Sequence, residues 1–216
     1  MDPRNPVVRL CAEGMRAETE GRDADARELF EQAWRTAADD YEACVAAHYL
    51  ARHQPTPRET LHWNRECLDR ANRVGDERVT GFYASLHLNL ARAHRDLAEP
   101  EEARRHFALA AAHVNDAPQG PYADGLRFTI AEGLREDGAG EQAADGALGD
   151  LLTRWCARTD LRALGLVLPA YLGDLGTEED RTRLATALHT LHATRWLPEE
   201  EHDALGRVIG SLTTAA

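Results

Sequence analysis

Apolar residues recur at three- and four-residue spacing in nearly every segment of this 216-residue chain, and nowhere does a sustained alternation of apolar and polar residues interrupt them. That period commits the chain to helices. Helix-boundary chemistry punctuates it throughout. Thr56-Pro57-Arg58-Glu59 has the form of a capping box with proline at the first helical position, so a hydroxyl and a carboxylate stand ready for orphan amides. Thr177-Glu178-Glu179-Asp180 and Leu197-Pro198-Glu199-Glu200 open helices with acidic first turns, which the helix dipole favours. Gly21, Gly75, Gly138 and Gly176 fall where helices should stop. The spacing predicts about eleven helices, at 6–20, 23–38, 40–53, 57–73, 76–97, 100–114, 121–136, 140–157, 160–174, 177–193 and 198–213. Their connections are short, so consecutive helices must run antiparallel.

Aromatic residues make up only 6% of the chain while alanine is abundant, which favours helices packed closely through small side chains. All 25 basic residues are arginine, the mark of a high-GC coding bias, and this lowers the weight any single arginine carries. A net charge of −12 with no clustered basic stripe excludes a general nucleic-acid binder. Met1 to Pro6 carry no charged leader followed by an apolar run, and the longest apolar stretch, 161–172, is too short to span a bilayer. A cytoplasmic protein without membrane contact is expected. Within that stretch Pro169 is expected to kink or break its helix. Cys11, Cys44, Cys67 and Cys156 lie far apart with no C-x-x-C, so they read as small buried hydrophobes rather than a disulfide framework or a zinc site.

The helices also pair. Ala26-x-x-x-Phe30-x-x-Ala33 recurs as Ala103-x-x-x-Phe107-x-x-Ala110, each on the second helix of a pair, just after a tight turn at Gly21-Arg22-Asp23 or Ala98-Glu99-Pro100. Gly14 and Ala91 hold the equivalent small position on the first helices, and a shift of 34 residues carries Gly21 and Ala33 onto Pro55 and Cys67. The pattern resembles the tetratricopeptide repeat, in which small residues let the two helices approach and the aromatic ring fills the groove toward the next pair. The match is good at 7–38 and 85–114. At 40–73 only the spacing survives, with Thr60 and Asn64 in place of the alanine and the aromatic. The pair at 121–157 keeps Gly138 and Ala143, with Ala147 where an aromatic is expected, and 160–193 departs further.

The resemblance implies an all-α fold, a right-handed superhelical array of antiparallel helix pairs. About five pairs (6–38, 40–73, 76–114, 121–157 and 160–193) would form one domain over 1–216, closed by an amphipathic capping helix at 198–213. That helix carries Leu205, Val208, Ile209 and Leu212 on one face, which would serve for homodimerisation if left uncovered. The resemblance also implies a concave groove lined by the first helices. By position it marks Cys11, Met15 and Glu18, then Tyr49, Arg52 and His53, then Leu88, Arg92, Arg95 and Asp96, then Phe128, Glu132 and Arg135. Arg52, Arg92, Arg95 and Arg135 would offer planar donors to a carboxylate, with Tyr49, Leu88 and Phe128 as apolar pockets. Alternatively the same arginines pair with Glu18, Asp96 and Glu132 on a solvated face.

Sequence motifs for catalysis are absent: there is no H-E-x-x-H, no G-x-S-x-G and no phosphate-binding loop, and Gly138-Ala139-Gly140 follows no strand. Ten histidines invite a metal. Yet His48 and His53 are five apart, His87 and His94 are two turns apart, and the best-spaced pair, His189 and His192, has no obvious third ligand. Glu132 and Glu136 lack the E-x-x-H companion of di-iron bundles. Neither metal nor cofactor is expected. Three functions stay open: a non-catalytic scaffold for a protein or peptide partner; a sensory module, like the helical-repeat receptors of bacterial transcriptional regulators, acting in trans on a regulator or a biosynthetic enzyme; and a helical enzyme or metal protein.

Overall fold

A computed structural model describes residues 4–136 and 145–214. Among them are twelve α-helices and no strands. They are α1 (Pro6–Thr19), α2 (Asp23–Thr36), α3 (Asp40–Leu50), α4 (Pro57–Val74), α5 (Glu77–Thr80), α6 (Tyr83–Asp96), α7 (Pro100–His113), α8 (Pro121–Glu136), α9 (Asp145–Ala157), α10 (Leu161–Leu172), α11 (Glu178–Thr194) and α12 (Glu199–Thr214). The all-α, helix-pair fold expected from the period is the fold observed. The expected features at Gly138, Ala139, Gly140 and Ala143 lie outside the described residues. Two compact units divide the chain, Met1–Leu126 and Arg127–Ala216.

In the first unit α1 pairs with α2, α3 with α4 and α6 with α7, while α2 packs on α3 and α4 on α6. The alanine–aromatic–alanine motif explains the closeness of the pairs. Ala26, Phe30 and Ala33, like Ala103, Phe107 and Ala110, are fully or almost fully buried. A Cβ built on Gly14 would stand 2.3 Å from the Phe30 ring, so the first helix must be bare at that point for the aromatic to seat. The turn after α1 closes by two hydrogen bonds, from the Arg22 amide to the Ala17 carbonyl (2.9 Å) and from the Gly21 amide to the Glu18 carbonyl (2.9 Å). With Gly21 at φ +72° this is a Schellman turn. The same turn recurs after α6, where Ala98 takes the left-handed position at φ +56°. Cys11, Cys44 and Cys67 are buried, as expected, with the sulfurs of Cys44 and Cys67 3.7 Å apart, whereas Cys156, expected to be buried too, is exposed on α9.

Two helix expectations need correction. The continuous helix expected at 76–97 is two helices, α5 and α6, parted at Gly81. Asp76 caps the short first piece by accepting the Arg78 amide at 3.0 Å. At Gly81 the backbone of Asp116 and the Pro118 ring come so near that an added Cβ would meet them at 3.3–3.4 Å. Helical spacing in the sequence does not register such a crossing of segments. Pro169, in turn, does not break α10, which runs on to Leu172. Only three residues follow the proline, so the one intrahelical bond that its missing amide forfeits falls in the last turns of the helix.

In the second unit, which also takes in α8 from Arg127 on, α9 meets α10, α10 meets α11, α11 meets α12 and α12 returns to α9. Its core gathers Leu148, Leu151 and Trp155 with Val167, Leu188, Leu191, Leu205 and Val208. The apolar face of α12 is therefore covered inside its own unit and does not stand open for a second copy. The Trp155 indole donates to Glu201 Oε2 (2.9 Å), and Arg158 pairs with both Glu201 and Asp160. Ala147, at the expected aromatic position, is exposed.

Candidate functional site

Four of the residues expected to line the groove come together where α1 meets the end of α3. Glu18 leaves the last turn of α1 and accepts from Arg52 Nη2 (2.7 Å) and pairs with His53 Nε2 (2.6 Å). The Arg52 guanidinium lies over the Tyr49 ring at 4.9 Å. Phe30 of α2 stacks beneath, 5.2 Å from Tyr49 and 5.4 Å from His53. Burial, and after it Cys11, push the Tyr49 hydroxyl above its ordinary range, against the lowering field of Arg52. Met15, one turn back on α1, is 39% exposed beside this cluster's own helix. Tyr122, at the start of α8, acts on the same Tyr49 hydroxyl and is itself open to solvent. Sequence reasoning missed Tyr122, because a residue next to a helix-opening proline carries no periodicity signal.

The remaining positions divide. Leu88 is 3% exposed and belongs to the packing of α6. Arg92 and Asp96 are exposed on the same helix, whereas the Arg95 guanidinium lies 4.6 Å above the Phe107 ring of α7. In the second unit, Phe128 is half-buried and Glu132 exposed. Arg135 Nη2 donates to the carbonyls of Tyr171 (2.7 Å) and Leu172 (3.1 Å), satisfying the open C-terminal turn of α10. Arg52, Arg95 and Arg135 are thus each engaged within the chain. The reading in which Glu18 pairs with an arginine holds for Arg52.

A second constellation runs along the α6/α7 hairpin. His87 and His94 are two turns apart on α6, and His106 and His113 are two turns apart on α7. Because the helices are antiparallel, the four rings interleave into one column. Tyr83 to His113 is 5.3 Å between ring centres, His113 to His87 6.0 Å, His87 to His106 5.3 Å and His106 to His94 5.4 Å. His87 and His106 meet at Nδ1, 3.1 Å apart. His94, 1% exposed, pairs through Nδ1 with Glu99 Oε2 at 2.6 Å. Burial, reinforced by His106 and His113, pushes His87 down to about 4, and burial with the nearby His94 lowers His106. Taken helix by helix, the histidines are spaced too far apart to matter. The available signal was the matching seven-residue spacing on both arms of a hairpin.

No family model matches the chain, and no curated protein matches it in sequence. Among solved structures it is similar to the nearly identical TPR-like repeats of a Podosopora anserina protein described as a kinesin light chain. The two share 14% sequence identity over 98% of each chain, with a TM-score of 0.53. At that identity the likeness establishes the fold, a tetratricopeptide-like helical repeat, and nothing finer.

Proposed function

We propose that the chain is a non-catalytic scaffold that binds a protein or peptide partner on the first helices of its repeats. The observation that carries this reading is the α1/α3 surface. There a charged and aromatic cluster of Glu18, Tyr49, Arg52 and His53 packs on Phe30, with the exposed Met15 one turn before Glu18 on α1 and the exposed Tyr122 near enough for its charge to act on Tyr49. Rigid aromatic anchors beside oriented charges are the composition of a recognition surface. The repeat fold supports the same reading, since helix-pair arrays present extended surfaces rather than enclosed pockets. No described helix is long and apolar enough to cross a membrane. The partner is expected to meet Met15 and Tyr122 with apolar side chains and to compete with Glu18 for Arg52, as a peptide carboxylate or acidic side chain would.

The test is capture from the native cell extract by immobilised protein, comparing the wild type with Met15→Glu, Arg52→Glu and Arg92→Glu. Arg104→Glu, an exposed change on the second helix α7, serves as the control. Circular dichroism and thermal melts verify that each variant is folded. A partner retained by the wild type and the control but lost from Met15→Glu, Arg52→Glu and Arg92→Glu supports the reading. Equal capture by all of them would refute it.

A further inference from the structure

We propose that the α6/α7 hairpin carries a binding site for one divalent transition-metal ion, formed by His94, Glu102 and His106. One ligand atom from each of the three lies within 4.8 Å of the others. Bonds of 2.0–2.1 Å in a tetrahedral site separate ligand atoms by about 3.4 Å, so closing the set needs shifts of about an ångström, shared among three side chains. Glu102 and His106 are four apart on α7 and share a face, and Glu102 is exposed, in an ion pair with Arg105 at 3.5 Å that a bound metal would have to displace. His94 comes from the facing helix and is the fixed member.

The surroundings of His94 are those of a prepared ligand. Glu99 occupies its Nδ1, which assigns the proton to that nitrogen and leaves the lone pair of Nε2 for a metal. Ligating histidines in metal sites carry this outer carboxylate as a rule, and it fixes both tautomer and ring orientation. His87 gives His106 a comparable partner at Nδ1. Two imidazoles and one carboxylate select zinc, cobalt, nickel or copper over calcium or magnesium, which prefer all-oxygen shells. With three protein ligands, a fourth position falls to water or a partner's side chain. Arg65 and Arg105 act on His106 as nearby positive charges and set an upper limit on affinity. Two helices bridged by an ion would be held in one register, so metal would stabilise the hairpin that pairs most closely in the first unit.

The experiment titrates the metal-free full-length protein with Co²⁺, followed by the visible d–d absorbance, and then displaces it with Zn²⁺. One equivalent is expected to bind with the intense bands of a four- or five-coordinate site, and Zn²⁺ is expected to raise the unfolding temperature. Glu102→Gln and His106→Gln should each weaken binding by about ten-fold or more. Glu99→Gln, which touches no metal, should weaken it by about 10–100-fold through His94. His202→Gln, in the stacked His192–His202 pair of the second unit, should leave affinity unchanged. Melting the metal-free variants separates lost binding from lost folding, and Glu102, being exposed, keeps the test open if His106→Gln does not fold. The proposal is overturned if no saturable binding occurs below about 1 mM, or if Glu102→Gln and His106→Gln bind as the wild type does. A sulfur-to-cobalt charge-transfer band abolished by Cys44→Ala would equally overturn it.

Discussion

Gly14 shows how much of the repeat depends on a single missing methyl group. Exchanging glycine for alanine inside a helix ordinarily gains about 1 kcal/mol of helix propensity. Here the added carbon would meet Phe30 at 2.3 Å, and Phe30 cannot retreat because Tyr49 and His53 stack on it. Gly14→Ala should therefore destabilise the protein by about 1–3 kcal/mol, while Gly149→Ala, with nothing near its Cβ, should be neutral or stabilising. Urea denaturation of both variants checks the contrast, and a Gly14→Ala protein as stable as the wild type would contradict the packing described. The sequence announces this contact, because Gly14, Ala26, Phe30 and Ala33 stand in repeat register. It is silent about Tyr122 and about the engagement of Arg52, Arg95 and Arg135, since the partner of a long side chain is set by tertiary placement and not by period.

At the scale of helices, boundaries were legible wherever a side chain caps its own backbone. Thr56 accepts the Glu59 amide and Thr177 the Asp180 amide, both within three residues and so both readable from spacing. The start of α11 also depends on a distant residue. Asp180 is buried and accepts from Thr177 Oγ1 (2.7 Å) and the Leu175 amide (3.1 Å), and Arg127 pairs with its other oxygen. Burial alone would push this carboxyl up, but the bonds from Thr177, Arg127 and Leu175 outweigh it and hold it below the usual range. Arg127 also donates to the Gly173 carbonyl at 2.9 Å, so one guanidinium ties α8 to the end of α10 and the start of α11. Arg127→Met should cost about 3 kcal/mol by removing the nearer of two arginines from a buried carboxylate, with Arg183 remaining at 3.7 Å. The Arg127→Met/Asp180→Asn double variant should recover part of that loss, and strictly additive effects would rule out the coupling.

For the molecule as a whole, the all-α class and most helix bounds follow from the sequence, whereas the split at Gly81 and the return of α12 onto α9 follow from tertiary contact. Burial, and after it Arg52, push His48 down to about 4, so the ring is neutral in the folded protein and protonates more readily when unfolded. Its contribution is complete above pH about 6.5 and is lost as pH falls toward 4. Asp160, lowered chiefly by Arg158, and Asp180 extend the loss to still lower pH as they take up protons. The urea midpoint should thus decline from pH 7 to 4. In His48→Gln that decline should be shallower by the equivalent of about 1–2 kcal/mol. An unchanged slope in the variant would show that His48 is not the group responsible.

Ala98, Thr159 and Arg195 each hold a positive φ without being glycine, at 56°, 58° and 54°. For an L-residue this costs about 1–2 kcal/mol, because Cβ presses on the following carbonyl oxygen. For the mirror-image residue it is the relaxed conformation. At these three α-carbons the handedness of the amino acid works against the handedness of the turn. A chemically synthesised chain with D-alanine at position 98 would therefore carry the Schellman turn at lower energy than the natural one, while the same inversion at neighbouring helical positions would disrupt the helix.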